Sequence, residues 1–271
     1  MDTRPIGVFD SGMGGLTAVR QMIRLLPGED IVYFGDTGRV PYGGRSVETI
    51  VRYARQDVAF LRSFDLKAIV IACGTVSTTA LHLLKNENAI PILGVVQPAA
   101  NAAVRASQSG NIGIIGTKAT IRSGAYEASI RALLPTARLT AKACPLLVPL
   151  VEDGRVRRGD FVTERVVEEY LSPVKAAGVD TLVLGCTHYP LLADVVSDYM
   201  GAGVTLIDTG EQAALAAAAL LGEQNRLNDP TRVGERRYYA SDSAADFAAT
   251  ASLYLGADIS GLVERVAIEN Y

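Results

Sequence analysis

Ile69-Val70-Ile71-Ala72-Cys73-Gly74-Thr75 and, much further along, Leu182-Val183-Leu184-Gly185-Cys186-Thr187-His188 repeat one design: an apolar run, a small residue, a cysteine, and a threonine within two positions. A short continuous apolar run reads as a strand buried on both faces, as in a parallel sheet covered by helices on both sides. Such runs predict strands at Ile6 to Phe9, Ile31 to Phe34, Ala68 to Ala72, Ile92 to Val96, Ile112 to Gly116, Leu139 to Ala143, Thr181 to Gly185 and Thr205 to Ile207. Helical segments alternate with them. After Ser46, a suitable N-cap, Val47, Ile50, Val51, Ala54, Val58 and Leu61 recur at three- and four-residue steps. Gln212 to Leu221 is an alanine-rich helical stretch, and the polar connector Glu223 to Arg236 reads as surface loop. The alternation predicts the α/β class with mostly parallel sheets.

A chain of 271 residues allows one large domain or two modest ones. With 26 basic against 29 acidic residues it has no surplus of positive charge for a phosphate backbone, which argues against nucleic acid as a partner. The amino terminus runs from Met1-Asp2-Thr3-Arg4-Pro5 straight into the first strand without the apolar region of a secretory signal, so a cytoplasmic chain is expected. The longest uncharged apolar stretch, Ala213 to Leu221, is far short of the roughly 20 residues that cross a bilayer, so no membrane span is expected. Cys73, Cys144 and Cys186 form no Cys-x-x-Cys pair and read as reduced thiols.

Residues that directly follow a buried strand are presented to the crevice where open α/β sheets bind ligands. Cys73 and Cys186 both occupy that position, which suggests two related domains with thiols facing one cleft. A free cysteine is usually a small buried hydrophobe, and Cys144, without polar neighbours, fits that description. Two matched thiols need more explanation. A metal could take Cys73, Cys186 and His188, but zinc normally wants four ligands, or three and a water, and His82 is the only other imidazole. A Cys-His nucleophile would use one thiol and leave its copy unexplained. Two bases on opposite faces of one carbon account for both copies: one thiolate removes a proton and the other thiol delivers one, inverting the centre.

Each thiol needs help, because an unperturbed cysteine with a pKa of about 8.5 is mostly protonated at neutral pH. His188, two residues beyond Cys186, can exchange a proton with it. His82, in Leu81-His82-Leu83-Leu84, has no such context and reads as structural. Asp10-Ser11 ends the first strand and would lie beside the third strand of a doubly wound sheet, next to Cys73. Gly12-Met13-Gly14-Gly15 then either cradles an anion on backbone N–H groups or makes a tight turn that needs glycine for its conformational freedom. A dinucleotide fingerprint is incomplete here, since Thr17 occupies the third glycine position.

At these residues the chain resembles the glutamate racemases of the aspartate/glutamate racemase superfamily. The resemblance runs through Gly7 to Thr17, Tyr33-Phe34-Gly35-Asp36-Thr37, Pro41-Tyr42-Gly43, Ala72-Cys73 with Thr75, Gly116-Thr117 with Ala119-Thr120, and Leu184 to Leu191. It implies two similar α/β domains with the active site between them, the first at 1–97 and 209–271 and the second at 98–208. It implies a homodimer that uses no cofactor and interconverts L- and D-glutamate, supplying D-glutamate for bacterial peptidoglycan and hence cell wall and cell shape. It further implies that Cys73 takes the α-proton of D-glutamate and Cys186 that of L-glutamate, assisted by Asp10 and His188 respectively. Ser11, Tyr42, Gly43, Thr75 and Thr187 would hold the substrate, with Asp10, Gly74 and His188 at the same site, and Glu152 matches a family position nearby.

One position departs from the family pattern. Gly74 stands where the family has asparagine, whose amide would contact the charged substrate. Hydrogen bonds to charged groups contribute about 1.5–3 kcal/mol, so glycine is expected to cost about 10- to 100-fold in binding or turnover unless a neighbour such as Ser77 substitutes. The departure leaves an alternative open: a weakened or substrate-shifted homologue, such as an aspartate racemase or an amino-acid-binding protein. On the first reading, Gly74→Asn is expected to raise kcat/KM for glutamate.

Overall fold

The computed structural model describes residues 1–271. Its strands are β1 (Ile6–Asp10), β2 (Ile31–Gly35), β3 (Ala68–Ile71), β4 (Ile92–Gly94), β5 (Asn111–Gly116), β6 (Arg138–Ala143), β7 (Thr181–Leu184), β8 (Thr205–Asp208), β9 (Arg236–Ala240) and β10 (Val263–Arg265). They form a six-stranded sheet in the order β10-β9-β2-β1-β3-β4 and a four-stranded sheet in the order β6-β5-β7-β8. All neighbours are parallel. Every residue of β1, β2, β3 and β7 is buried, as expected of strands covered on both faces.

Strand order reverses at β1, flanked by β2 and β3, and at β5, flanked by β6 and β7. Crevices form at the carboxyl ends of strands where order reverses. Phe9 lies opposite Ile71, and the Ala72 N–H donates to the Phe9 carbonyl at 2.9 Å, which sets Asp10-Ser11 beside Cys73. In the second sheet Ile115 lies opposite Leu184, and the Gly185 N–H donates to the Ile115 carbonyl at 2.7 Å, directly before Cys186.

The helix Val47–Leu61 buries Ile50, Val51, Ala54, Val58 and Leu61, and Ser46 caps it by accepting from the Thr49 N–H. The alanine-rich segment forms the helix Thr209–Glu223, capped by the Asp208 carboxylate. One apolar cluster runs from Val8 and Val70 of the first sheet through Ala213 and Ala217 to Leu182 and Leu184 of the second. No helix is long and apolar enough to cross a membrane.

Three local expectations need correction. Val96 begins the helix Val96–Ala106 rather than ending β4; Pro98 lies in its first turn, where a missing N–H costs nothing. β9 and β10 carry no continuous apolar run to mark them, because Arg236-Arg237 open the first and Glu264-Arg265 end the second, which is the edge strand. The connector after Glu223 is partly internal. Asn228 is buried and its N–H donates to Glu29 Oε1 at 2.7 Å, while Lys67, itself buried against Glu29, donates to the Arg226 carbonyl at 3.0 Å.

Candidate active site

The carboxyl ends of β1, β3 and β7 open onto one cavity of about 430 Å³. That lies within the roughly 300–1,000 Å³ of small-molecule sites. Cys73 and Cys186 both line it and are 5% and 7% exposed. So do Ser11, Tyr42, Gly43, Gly74, Thr75, Glu152, Thr187 and His188. Asp10 does not reach the lining; it is buried just behind Ser11 and Gly12. Cys144 and His82 lie away from the cavity wall.

The two thiols have different surroundings. Cys73 ends its strand and starts the helix Gly74–Thr79, and its Sγ donates to Ser11 Oγ at 3.4 Å. Burial, followed by the negative charge of Asp10, pushes its pKa up to about 12. Cys73 is therefore a thiol in the resting site. Asp10 accepts from the Gly12 N–H through Oδ2 at 3.2 Å, while its buried Oδ1 has no partner. Burial raises its pKa against the opposing pull of His188. A buried carboxyl oxygen left open beside a thiol can accept a proton or a cationic group.

On the other side, Cys186 Sγ lies 3.8 Å from His188 Nδ1, and Glu152 Oε1 lies 3.0 Å from His188 Nε2. Burial acts to lower the His188 pKa, but hydrogen bonds with Cys186 and Glu152 and the charges of Cys186 and Asp10 raise it to about 10. His188 is thus an imidazolium at neutral pH, able to give a proton to Cys186 or take one back. Glu152 comes from the short helix Leu147–Glu152, a third element that no residue spacing connects to His188.

Glycine in the 12–15 segment serves close approach rather than conformational freedom, because none of Gly12, Gly14 and Gly15 has a positive φ. A Cβ on Gly14 would lie 2.6 Å from His188 Nδ1. The two halves also meet through Thr17, whose hydroxyl donates to the Thr187 carbonyl at 3.0 Å, and through Thr75 and Thr117, whose hydroxyls are 3.1 Å apart. A Cβ on Gly74 would lie 2.6 Å from the Gly185 carbonyl oxygen. The expected benefit of asparagine there therefore meets a steric opponent that no single-chain pattern reveals.

Val40, Pro41, Gly44, Thr117, Lys118, Pro145, Val148 and Pro149 also line the cavity and were missed as site residues. Only Pro41 and Thr117 carried a signal, in Pro41-Tyr42-Gly43 and in Gly116-Thr117 at a strand end. No group of three or more His, Cys, Asp or Glu side chains is placed to hold a metal ion.

The Asp/Glu/Hydantoin racemase family matches residues 6–218. A glutamate racemase of Geobacter metallireducens is 43% identical over 269 residues, covering 99% of this chain and 98% of its own. The crystal structure of a glutamate racemase isoform of Bacillus anthracis superposes with a TM-score of 0.92 at 38% identity, covering 98% of both chains. That of a glutamate racemase of Francisella tularensis in complex with D-glutamate gives a TM-score of 0.91 at 36% identity, covering 100% of both.

Proposed function

The chain belongs to the Asp/Glu/Hydantoin racemase family, and we infer that it is an amino-acid racemase that interconverts L- and D-glutamate. The observation that carries the chemistry is the pair of strand-end thiols on one cavity, each beside its own proton-handling group. In the L-to-D direction the Cys186 thiolate takes the α-proton and the Cys73 thiol protonates the opposite face of the carbanion. Afterwards Cys186 is the thiol and Cys73 the thiolate. The pair resets when a proton passes from the Cys186 side to the Cys73 side by way of His188 and Asp10. The D-to-L direction runs through the same steps in reverse. Ser11, Thr75 and Thr187, with the backbone at Tyr42, Gly43 and Gly74, hold the ammonium and carboxylate groups.

The chain is read as two domains, 1–97 with 209–271 and 98–208, because the strands of each sheet come from those segments. Its role is supply of D-glutamate for peptidoglycan in the cytoplasm, as a homodimer, without an added cofactor. Light scattering of the purified protein at micromolar concentration tests the dimer; a monomer mass would remove it. Incubation with each enantiomer in heavy water tests the reaction. Deuterium at the α-carbon and optical rotation drifting to zero are expected, and absence of both at high enzyme concentration would reject the reading.

Glu152 gives a pH prediction. His188 is held above its ordinary value, so its protonated form stabilises the fold fully below about pH 6.5, and that contribution fades as pH climbs through about 10. Glu152→Gln removes a charged hydrogen-bond partner whose side chain is 44% exposed, so the screened effect sits at the low end of the usual range. The alkaline limb of kcat/KM is expected to move down by about one pH unit, with activity at neutral pH little changed because His188 stays protonated there. An unmoved limb would detach Glu152 from the His188 proton.

A further inference from the structure

Five residues of the segment from Thr37 to Arg45 line the cavity: Val40, Pro41, Tyr42, Gly43 and Gly44. The segment carries two single 3₁₀ turns and no longer element, so its position depends on side-chain anchors. Those anchors converge on two wholly buried carboxyls, Asp36 at its start and Asp57 on the helix Val47–Leu61. Arg39 bridges them, donating from Nε to Asp36 Oδ2 at 2.6 Å and from Nη2 to Asp57 Oδ1 at 2.9 Å. Tyr42 Oη stands between them, donating to Asp36 Oδ2 and lying 3.2 Å from Asp57 Oδ2.

Proton counting decides the state of this cluster. Asp36 is satisfied as a carboxylate by three donors, since Oδ1 also receives the Ser241 hydroxyl at 2.7 Å. The single Tyr42 proton points to Asp36, which leaves its oxygen facing Asp57 Oδ2 with lone pairs on both sides. An ionised Asp57 would be repelled there, and Arg39 would face two buried negative charges alone. A proton on Asp57 Oδ2 turns the repulsion into a donated hydrogen bond and leaves one carboxylate for one guanidinium. We propose that Asp57 is a positioning residue that carries a proton, donates it to Tyr42, and through Tyr42 and Arg39 holds the substrate-binding segment 37–45 in place. Burial and the neighbouring Asp36 charge raise the Asp57 pKa well above that of an ordinary carboxyl, in line with this arrangement. The other ionisable groups facing the cluster are Tyr53, stacked under Arg39, Arg52 beyond it, and Asp10, whose carbonyl accepts the Asp36 N–H.

The effect on catalysis rests on the inferred glutamate racemase activity, but the anchoring does not. Asp57→Asn keeps a donor toward Tyr42 and an acceptor toward Arg39, whereas Asp57→Ala keeps neither and Tyr42→Phe removes only the hydroxyl. Asp57→Asn is expected to leave KM for glutamate within about twofold, and Asp57→Ala to raise it about tenfold with a smaller change in kcat. In the ligand-free protein, hydrogen exchange followed by peptide mass spectrometry should speed up in residues 37–45 for Asp57→Ala and Tyr42→Phe and stay unchanged for Asp57→Asn. Infrared spectra of the wild type should contain a protonated carboxylic-acid carbonyl band that Asp57→Asn removes. Wild-type KM and exchange in Asp57→Ala, or in Tyr42→Phe if the alanine variant does not fold, would overturn the proposal. So would Asp57→Asn behaving like Asp57→Ala, since the charge rather than the proton would then matter. A wild type inactive on glutamate would instead overturn the functional reading, while exchange and infrared spectra would still decide the anchoring.

Discussion

Cys73→Ala and Cys186→Ala are each expected to end racemisation, lowering kcat in both directions by about 10³-fold or more, because each loses a proton donor or acceptor that contributes about 10²–10⁴-fold. The two losses are distinguishable by isotope. Cys73→Ala keeps Cys186 with His188 3.8 Å away, so L-glutamate in heavy water should still exchange its α-proton with retention of configuration, while D-glutamate should not. Cys186→Ala should show the mirror result, exchanging D-glutamate only. Cys73 begins this cycle as a thiol with its pKa pushed up to about 12, so the ammonium of bound D-glutamate must supply the positive charge that frees its proton. Wild-type racemisation in either variant, measured by circular dichroism, would exclude the two-base assignment. Exchange of both enantiomers in one variant would show that a single group reaches both faces.

Much of the candidate site could be read from the sequence because its residues sit at strand ends. A buried parallel strand is a continuous apolar run, and the residue after it enters the crevice, so Cys73, Cys186 and Asp10-Ser11 followed from local pattern alone. Residues that depend on packing between elements gave no such signal. Glu152 meets His188 across 36 positions of sequence, and the Asp36, Arg39, Tyr42 and Asp57 cluster joins a 3₁₀ turn to a helix through buried charges that resemble surface charges in a linear reading. The same holds for the glycines. Gly12-Met13-Gly14-Gly15 reads as a turn in one dimension, but in three dimensions Gly14 is where the halves of the molecule nearly touch. The strands that do not show in sequence are β9 and β10, where arginine and glutamate occupy strand positions on the β10 side of the first sheet.

Gly74 joins the local pattern to the packing, and its two substitutions separate the opposing effects. Alanine adds only a Cβ, placed 2.6 Å from the Gly185 carbonyl oxygen, a backbone atom fixed to Cys186 and hydrogen-bonded through the Gly185 N–H to Ile115. That oxygen cannot swing away as a side chain would, so the strand ends bearing the thiols must part by some tenths of an ångström. Proton transfer between a thiol and a fixed carbon is sensitive to such displacements, since a misplacement of about 1 Å can cost about 100-fold. Gly74→Ala is expected to lower kcat/KM about tenfold, mainly in kcat. Gly74→Asn pays the same steric cost but brings an amide to the charged substrate, a contribution of about 1.5–3 kcal/mol, so it should exceed Gly74→Ala by about 10- to 100-fold and match or surpass the wild type. Steady-state kinetics of the three proteins on both enantiomers decides the matter. Alanine as active as glycine would show that the halves do not close on this position, and asparagine no better than alanine would show that an amide here does not serve the substrate.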